Sequence, residues 1–316
     1  MFIQSLMIKL APEISKSRGV LEIIKSVALK GGLIPFKTTL FHFLAPVICI
    51  GSGGTVGPEG PAAQLGGGVA SKITTIFKFS DQRRKIFTAA GSGAAIAAIF
   101  NTPLGGVFFA LEIILLNDFH AATFSALILS SVTASAISRI FLGNITVFSF
   151  STPVIGSYAH FYLFILLGLL TGIISAIFFK YNEFTSNYFK NKLGKLFPQW
   201  LLMVVVGLLV GVSGFFYHDI FGIGYNAINN ILSNNTAWHI VAILFALKFV
   251  LVPLVLSSGG FGGTFAPALF LGACIGFLFS YFVTTITGIP TDPTTYILVG
   301  MGASLAGINS IPITAI

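Results

Sequence analysis

Charge is what this chain has least of. Asp, Glu, Lys and Arg together make up 8% of its 316 residues, and only nine of those are acids, whereas soluble domains carry roughly 25% charge. A surface that poor in charge cannot face water on all sides, so a soluble globular fold is excluded. Cysteine is almost missing too. Cys49 and Cys274 stand alone in apolar segments, without metal-ligand spacing, and read as packing residues. His42, His120, His160, His218 and His239 are scattered, with no ligand spacing to acids or cysteines, so neither a metal nor any other cofactor is expected. Gly53-Gly54-Thr55 lacks the Lys-Ser/Thr ending of a phosphate-binding loop. No Gly-x-Ser-x-Gly elbow is present around Ser52, Ser92 or Ser258, and an enzyme is not expected. Alternating strand-length patterns do not recur, which excludes a β-barrel. No cleavable signal peptide is apparent at the start.

What is present is apolar: 55% of the residues are hydrophobic. Nine charge-poor regions lie near 39–54, 61–77, 86–116, 121–142, 153–179, 199–217, 237–256, 262–287 and 295–316. Many are dense in Gly and other small residues, which suits close helix packing within a lipid bilayer, and some are broken by Gly or Pro. The expectation is an all-α integral membrane protein in the cell membrane, a single domain over 1–316. The formal charge of +8 raises the question of nucleic acid, but the basic residues form no face. They sit in short connections, Lys78 with Arg83, Arg84 and Lys85, and Lys180 with Lys190, Lys192 and Lys195. Excess Lys and Arg in short loops marks the cytoplasmic side.

Against this background Glu59 is conspicuous, the only charge in the Gly-rich stretch from Gly51 to Gly68. A carboxylate at membrane depth costs roughly 2.5 kcal/mol or more unless it faces protein or water. Its surroundings recur. Gly53-Gly54-Thr55-Val56-Gly57-Pro58 returns as Gly262-Gly263-Thr264-Phe265-Ala266-Pro267, an offset of 209 residues (262 − 53). The same offset carries Gly91, Gly93, Ala94, Ala97 and Pro103 onto Gly300, Gly302, Ala303, Ala306 and Pro312. The halves run over about 1–145 and 153–316. Paired broken helices near the bilayer midplane present unpaired N–H groups and positive dipole ends, so the repeat predicts a passage for a small anion, with Glu59 as a competing negative charge. The second copy stops at Ile316, equivalent to position 107 of the first, and the chain reads as truncated at its C-terminus.

Gly57-Pro58-Glu59-Gly60-Pro61, Gly263-Thr264-Phe265-Ala266-Pro267, Phe100 to Gly106 running on to Glu112, and Ala11-Pro12-Glu13 through Glu22 together resemble the CLC family of chloride channels and chloride/proton antiporters. The resemblance implies a homodimer, an inverted repeat of broken, tilted helices in each subunit, and one chloride pathway per subunit. It implies that Glu59 is the gate, that Thr264 and Phe265 bind the anion centrally, and that Gly57, Glu59, Gly60 and Ala266 lie near an outer site. Two assignments stay open. An ungapped match puts Arg18 at the family's central-site serine, and a one-residue slip supplies Ser17. Glu112 either takes protons from the cytoplasm toward Glu59 or is a helix-end carboxylate near water. Pro58 replaces the family's usual Lys or Arg. Ile113 stands where antiporters commonly carry a second glutamate, which tips the reading from chloride/proton antiport toward channel-like conduction. A truncated chain that transports nothing is the remaining alternative.

Overall fold

The computed structural model describes residues 1–15, 19–116, 121–144, 146–154, 156 and 160–315, with backbone alone at 121 and 122. Among the described residues there is no sheet. Helices α1 (Phe2–Leu10), α2 (Pro12–Ser15), α3 (Gly19–Leu29), α4 (Phe36–Gly51), α5 (Glu59–Ile76), α6 (Asp81–Phe100), α7 (Pro103–Phe109) and α8 (Ala121–Leu142) form the first half. The second half comprises α9 (Tyr162–Tyr188), α10 (Gly194–Leu196), α11 (Gln199–Phe216), α12 (Tyr225–Leu232), α13 (Trp238–Ser258), α14 (Phe265–Thr287) and α15 (Pro293–Asn309). Five helical segments are long and apolar enough to cross a membrane, Thr123–Leu142, Tyr162–Leu196, Gln199–Phe216, Trp238–Ser258 and Phe265–Thr287. Their outward faces carry exposed Leu, Ile and Phe, such as Ile140, Phe141, Leu169 and Phe215, as lipid-facing helices do.

The long apolar region 86–116 is not one helix. α6 stops at Asn101, which adopts the left-handed conformation (φ 56°), and Pro103 opens α7 in the first turn, where a missing N–H costs nothing. α15 ends in the same way on Ser310 (φ 57°). Thr102 N donates to Ala97 O at 3.2 Å, and Ile311 N donates to Ala306 O at 3.3 Å. These pairs lie 209 residues apart, as the sequence repeat predicts for this segment.

For the helix before it the repeat has a different register. α5 begins at Glu59 after Pro58, and α14 begins at Phe265 after Thr264, an offset of 206 (265 − 59). Gly54 N caps α4 through Cys49 O at 2.8 Å, and Gly260 N caps α13 through Val255 O at 2.9 Å, again 206 apart. Gly66 crosses Gly91 with each backbone against the other, and Gly272 crosses Gly300 likewise. The two copies therefore match at 206 through α5 and α14 and at 209 from α6 and α15 onward. The stretch between the crossing glycines is three residues longer in the second copy, 28 from Gly272 to Gly300 against 25 from Gly66 to Gly91. The single offset of 209 is corrected: Gly57-Pro58-Glu59-Gly60-Pro61 is equivalent to Gly263-Thr264-Phe265-Ala266-Pro267.

The basic residues also sit differently from the expectation of short connections. Lys180, Lys190, Lys192 and Lys195 belong to a continuous helical run, 162–196. Arg83, Arg84 and Lys85 form the first turns of α6. Arg84 is anchored there, donating from Nε to Gly31 O at 2.8 Å and from Nη2 to Asp81 Oδ1 at 2.6 Å.

Candidate functional site

Two helix N-termini meet in the interior. The loops before α5 and α14 are joined back to back by a two-bond antiparallel bridge: Gly57 N donates to Gly263 O at 2.9 Å, and Gly263 N donates to Gly57 O at 2.7 Å. Beyond the bridge each helix starts with two amides and then a proline, Glu59-Gly60-Pro61 and Phe265-Ala266-Pro267. First-turn N–H groups have no partner within their own helix, and both ends carry the positive pole of a helix dipole. A Cβ built on Gly263 would meet Gly57 O and Gly60 N at 3.6 Å and Phe265 N at 4.0 Å. That point is in ordinary van der Waals contact, flanked by an amide from each helix.

Glu59 is 1% exposed, and its carboxylate reaches across to the other helix. Oε2 accepts from Ala266 N at 3.4 Å, and Oε1 accepts from the Tyr225 hydroxyl at 2.6 Å. The Glu59 side chain is thus held by an amide at the start of α14 and a phenol at the start of α12. Charge-assisted bonds of this kind are about twice as strong as neutral ones. An anion arriving at the Ala266 amide competes with the carboxylate for it.

Of the residues expected from the sequence, Glu59, Gly60, Thr264, Phe265 and Ala266 come together here. Gly57 does so only as scaffold. Its N–H is consumed by Gly263 O, so it is not an anion donor, and a side chain there would run into Glu59 Oε2. Thr264 sits at the N-cap of α14, and its hydroxyl donates to Asn309 Oδ1 at 2.7 Å, which ties α14 to the end of α15. Ser17 and Arg18 lie outside the described residues. The next residue is placed: Gly19 N donates to Gln64 Oε1 of α5 at 2.9 Å. Glu112 stands away from this cluster. Its carboxylate accepts from Ile313 N at 3.0 Å, from Thr314 N at 2.8 Å and from the Thr314 hydroxyl at 2.6 Å. It is engaged as a cap on the backbone after α15.

A cavity of about 390 Å³ opens on Glu59 and Gly60 and is lined by Val20, Ile113, Phe265 and Asn309, among others. Among the described residues, Glu59 is its one titratable lining residue. Phe265 forms the wall to a second cavity of about 380 Å³, on the side of Phe100 and Phe148, and its ring lies 5.5 Å from that of Phe100. Two polar participants were missed from the sequence. Tyr225 lies 166 residues from its partner Glu59, a separation that no local pattern spans. Lys248 did carry a signal, since it is the only charged residue of α13.

Fold and site together define an integral membrane protein built as an inverted repeat, with the N-termini of two broken helices facing each other around a buried carboxylate. Comparison with known proteins gives that class its family. The family model described as "Voltage gated chloride channel" matches residues 1–316, and the chain belongs to this family. It is 32% identical over 289 residues to the chloride channel protein CLC-f of Arabidopsis thaliana, covering 85% of this chain and 37% of that protein. It is 30% identical over 325 residues to the H(+)/Cl(-) exchange transporter ClcA of Vibrio campbellii, covering 98% of this chain and 66% of that one. Among solved structures, a slow cyanobacterial Cl-/H+ antiporter superposes with a TM-score of 0.89 at 24% identity, covering 99% of this chain and 74% of that one. A CLC-type fluoride/proton antiporter superposes with a TM-score of 0.84 at 21% identity, covering 99% and 76%. The chain spans 37% of the length of CLC-f and 43% of that of the chloride channel protein CLC-e of Arabidopsis thaliana.

Proposed function

We propose that this protein exchanges chloride and similar small monovalent anions for protons across a cell membrane, as a homodimer with one Glu59-gated pathway per subunit. It is a transporter rather than an enzyme. The observation that carries this is the position of the Glu59 carboxylate, which occupies donors from two helix starts at once. An anion takes the Ala266 amide only when Glu59 leaves, and a proton neutralises the carboxylate that has left. Anion movement and proton movement are then steps of one cycle. The exchange transporters among the relatives support exchange over the channel-like conduction that Ile113 suggests. Ile113 does line the cavity below Glu59, and an isoleucine carries no proton. The cavity has room for roughly ten waters at about 30 Å³ each, which gives a proton a water route to Glu59 without a second glutamate.

The test is proton movement in liposomes holding the purified protein under a chloride gradient. Uphill proton movement is expected, and Glu59→Gln is expected to abolish it while chloride still flows. Chloride flux without proton movement in the unmodified protein sinks exchange and leaves conduction. No flux of either ion leaves a protein that does not transport.

A further inference from the structure

Lys248 is 0% exposed in the middle of α13; among the described residues no carboxylate lies within ion-pair distance of it, and Asp219, beside the same turn, attracts it at longer range. A buried, unpaired ammonium in a membrane helix is costly and needs acceptors. Its acceptors are three backbone carbonyls of a single turn: Ile220 O at 3.4 Å, Gly222 O at 3.1 Å and Ile223 O at 3.4 Å. The ammonium also lies 4.7 Å from the centre of the Phe270 ring on α14, within cation–π range. Three carbonyls converging on one point fix the path of the turn that carries them.

That turn leads directly into the gate. Gly222 N donates to Gly53 O at 3.3 Å, which ties the turn to the loop preceding Glu59. Gly224 follows in the left-handed conformation (φ 88°) as the N-cap of α12. A Cβ there would lie 3.0 Å from Lys248 Nζ and 2.8 Å from the Phe270 ring. Tyr225 is the next residue, and its hydroxyl holds Glu59 Oε1. A continuous line of contacts therefore runs from the Lys248 ammonium through the 220–224 turn to the carboxylate.

We propose that Lys248 is a positioning residue for the gate: by gathering the carbonyls of the 220–224 turn it aims Tyr225 and so holds Glu59 across the anion site. This rests on Glu59 being the competing occupant, and the experiment separates the two claims. Chloride affinity is measured by calorimetry on the purified protein and on Tyr225→Phe, Lys248→Gln and the double variant. Tyr225→Phe tightens chloride binding if Glu59 competes for the site. Lys248→Gln tightens it by about fivefold, short of the roughly tenfold expected for losing the hydroxyl outright, and adds nothing further in the Tyr225→Phe background. Lys248→Arg, which keeps the charge and the donors, returns affinity most of the way. A lysine that serves only stability lowers the melting temperature and leaves chloride affinity unchanged, and that result overturns the proposal. If Tyr225→Phe itself has no effect, the Glu59 reading fails first. Where Lys248→Gln does not fold, Gly224→Ala decides, because it pushes the same turn off the ammonium. Unchanged chloride affinity in that variant overturns the proposal equally.

Discussion

Tyr225→Phe is the sharpest single perturbation of the site, because it removes one atom and leaves the ring. The ring contacts, 5.3 Å to Phe148 and 6.2 Å to Phe100, survive the substitution, so packing is not disturbed. What disappears is a 2.6 Å bond to the carboxylate. The other donor, Ala266 N at 3.4 Å, is at the long end of hydrogen-bond range and cannot replace it. A hydrogen bond to a charged group contributes about 1.5–3 kcal/mol net. The lower figure is the appropriate one, since the released carboxylate recovers part of its solvation in the adjoining cavity. About 1.5 kcal/mol corresponds to roughly a tenfold fall in how strongly Glu59 competes, and so to roughly tenfold tighter chloride binding where the carboxylate is ionised. The assay is isothermal titration of chloride into the detergent-solubilised protein, repeated in a Glu59→Gln background. In that background the hydroxyl has no charge to hold, and Tyr225→Phe is expected to change chloride affinity by less than about twofold. Unchanged affinity in the single variant, or a tenfold change persisting without the Glu59 charge, refutes the competition.

Two further predictions concern stability. The Asp292 carboxylate caps α15, accepting from Thr295 N at 3.1 Å, from the Thr295 hydroxyl at 2.6 Å and from Val154 N at 3.1 Å. Partial burial pushes its carboxyl up, but bonds from Thr295 and Val154 outweigh this and hold it below the ordinary carboxylate value. A depressed carboxyl stabilises above its unfolded value and loses that contribution as pH falls through its folded one. Asp292→Ala is therefore expected to cost about 1 kcal/mol at neutral pH and nothing once the carboxyl is protonated in both states, as thermal melts across pH will show. Gly272→Ala places a methyl against the backbone of Met301, 2.7 Å from its Cα, and overpacking of this kind costs about 1–3 kcal/mol. A drop in melting temperature is expected, and unaltered melting would mean that α14 and α15 are free to move apart.

The sequence made Glu59 and its setting readable for a simple physical reason. A lone carboxylate between apolar runs has to be used or neutralised, and Gly-Pro punctuation before an apolar helix marks a helix start. The register was harder to read. Gly-Gly-Thr matches Gly-Gly-Thr at 209, but a glycine pair can slide along a loop without changing what the helices do, and the second copy takes up its three extra residues between the crossing glycines of α14 and α15. Only the mutual bonds of Gly57 and Gly263 show which residues are equivalent. The same bonds remove the Gly57 N–H from the anion site, which composition and spacing could not reveal. Lys248 was overlooked although it satisfies the reasoning applied to Glu59, a single charge inside an apolar helix. Tyr225 offered no such signal, because tyrosine is ordinary in a membrane helix and its partner is remote in the chain.

Register 206 also explains how a repeat becomes a gate. Glu59 and Phe265 occupy the same first helical position of equivalent helices, and the two copies have diverged there most sharply, one charged and one aromatic. Two glutamates at these positions would set two carboxylates around the same few amides, and their repulsion would leave one of them protonated or turned away. Two phenylalanines would leave the donors to the anion alone, with no occupant to displace and no proton to couple. With one of each, the first copy supplies the carboxylate, and the second supplies the Ala266 amide that receives it and the ring that walls the cavity beneath. The backbone symmetry builds a site for one negative charge. The difference between Glu59 and Phe265 places a carboxylate inside it.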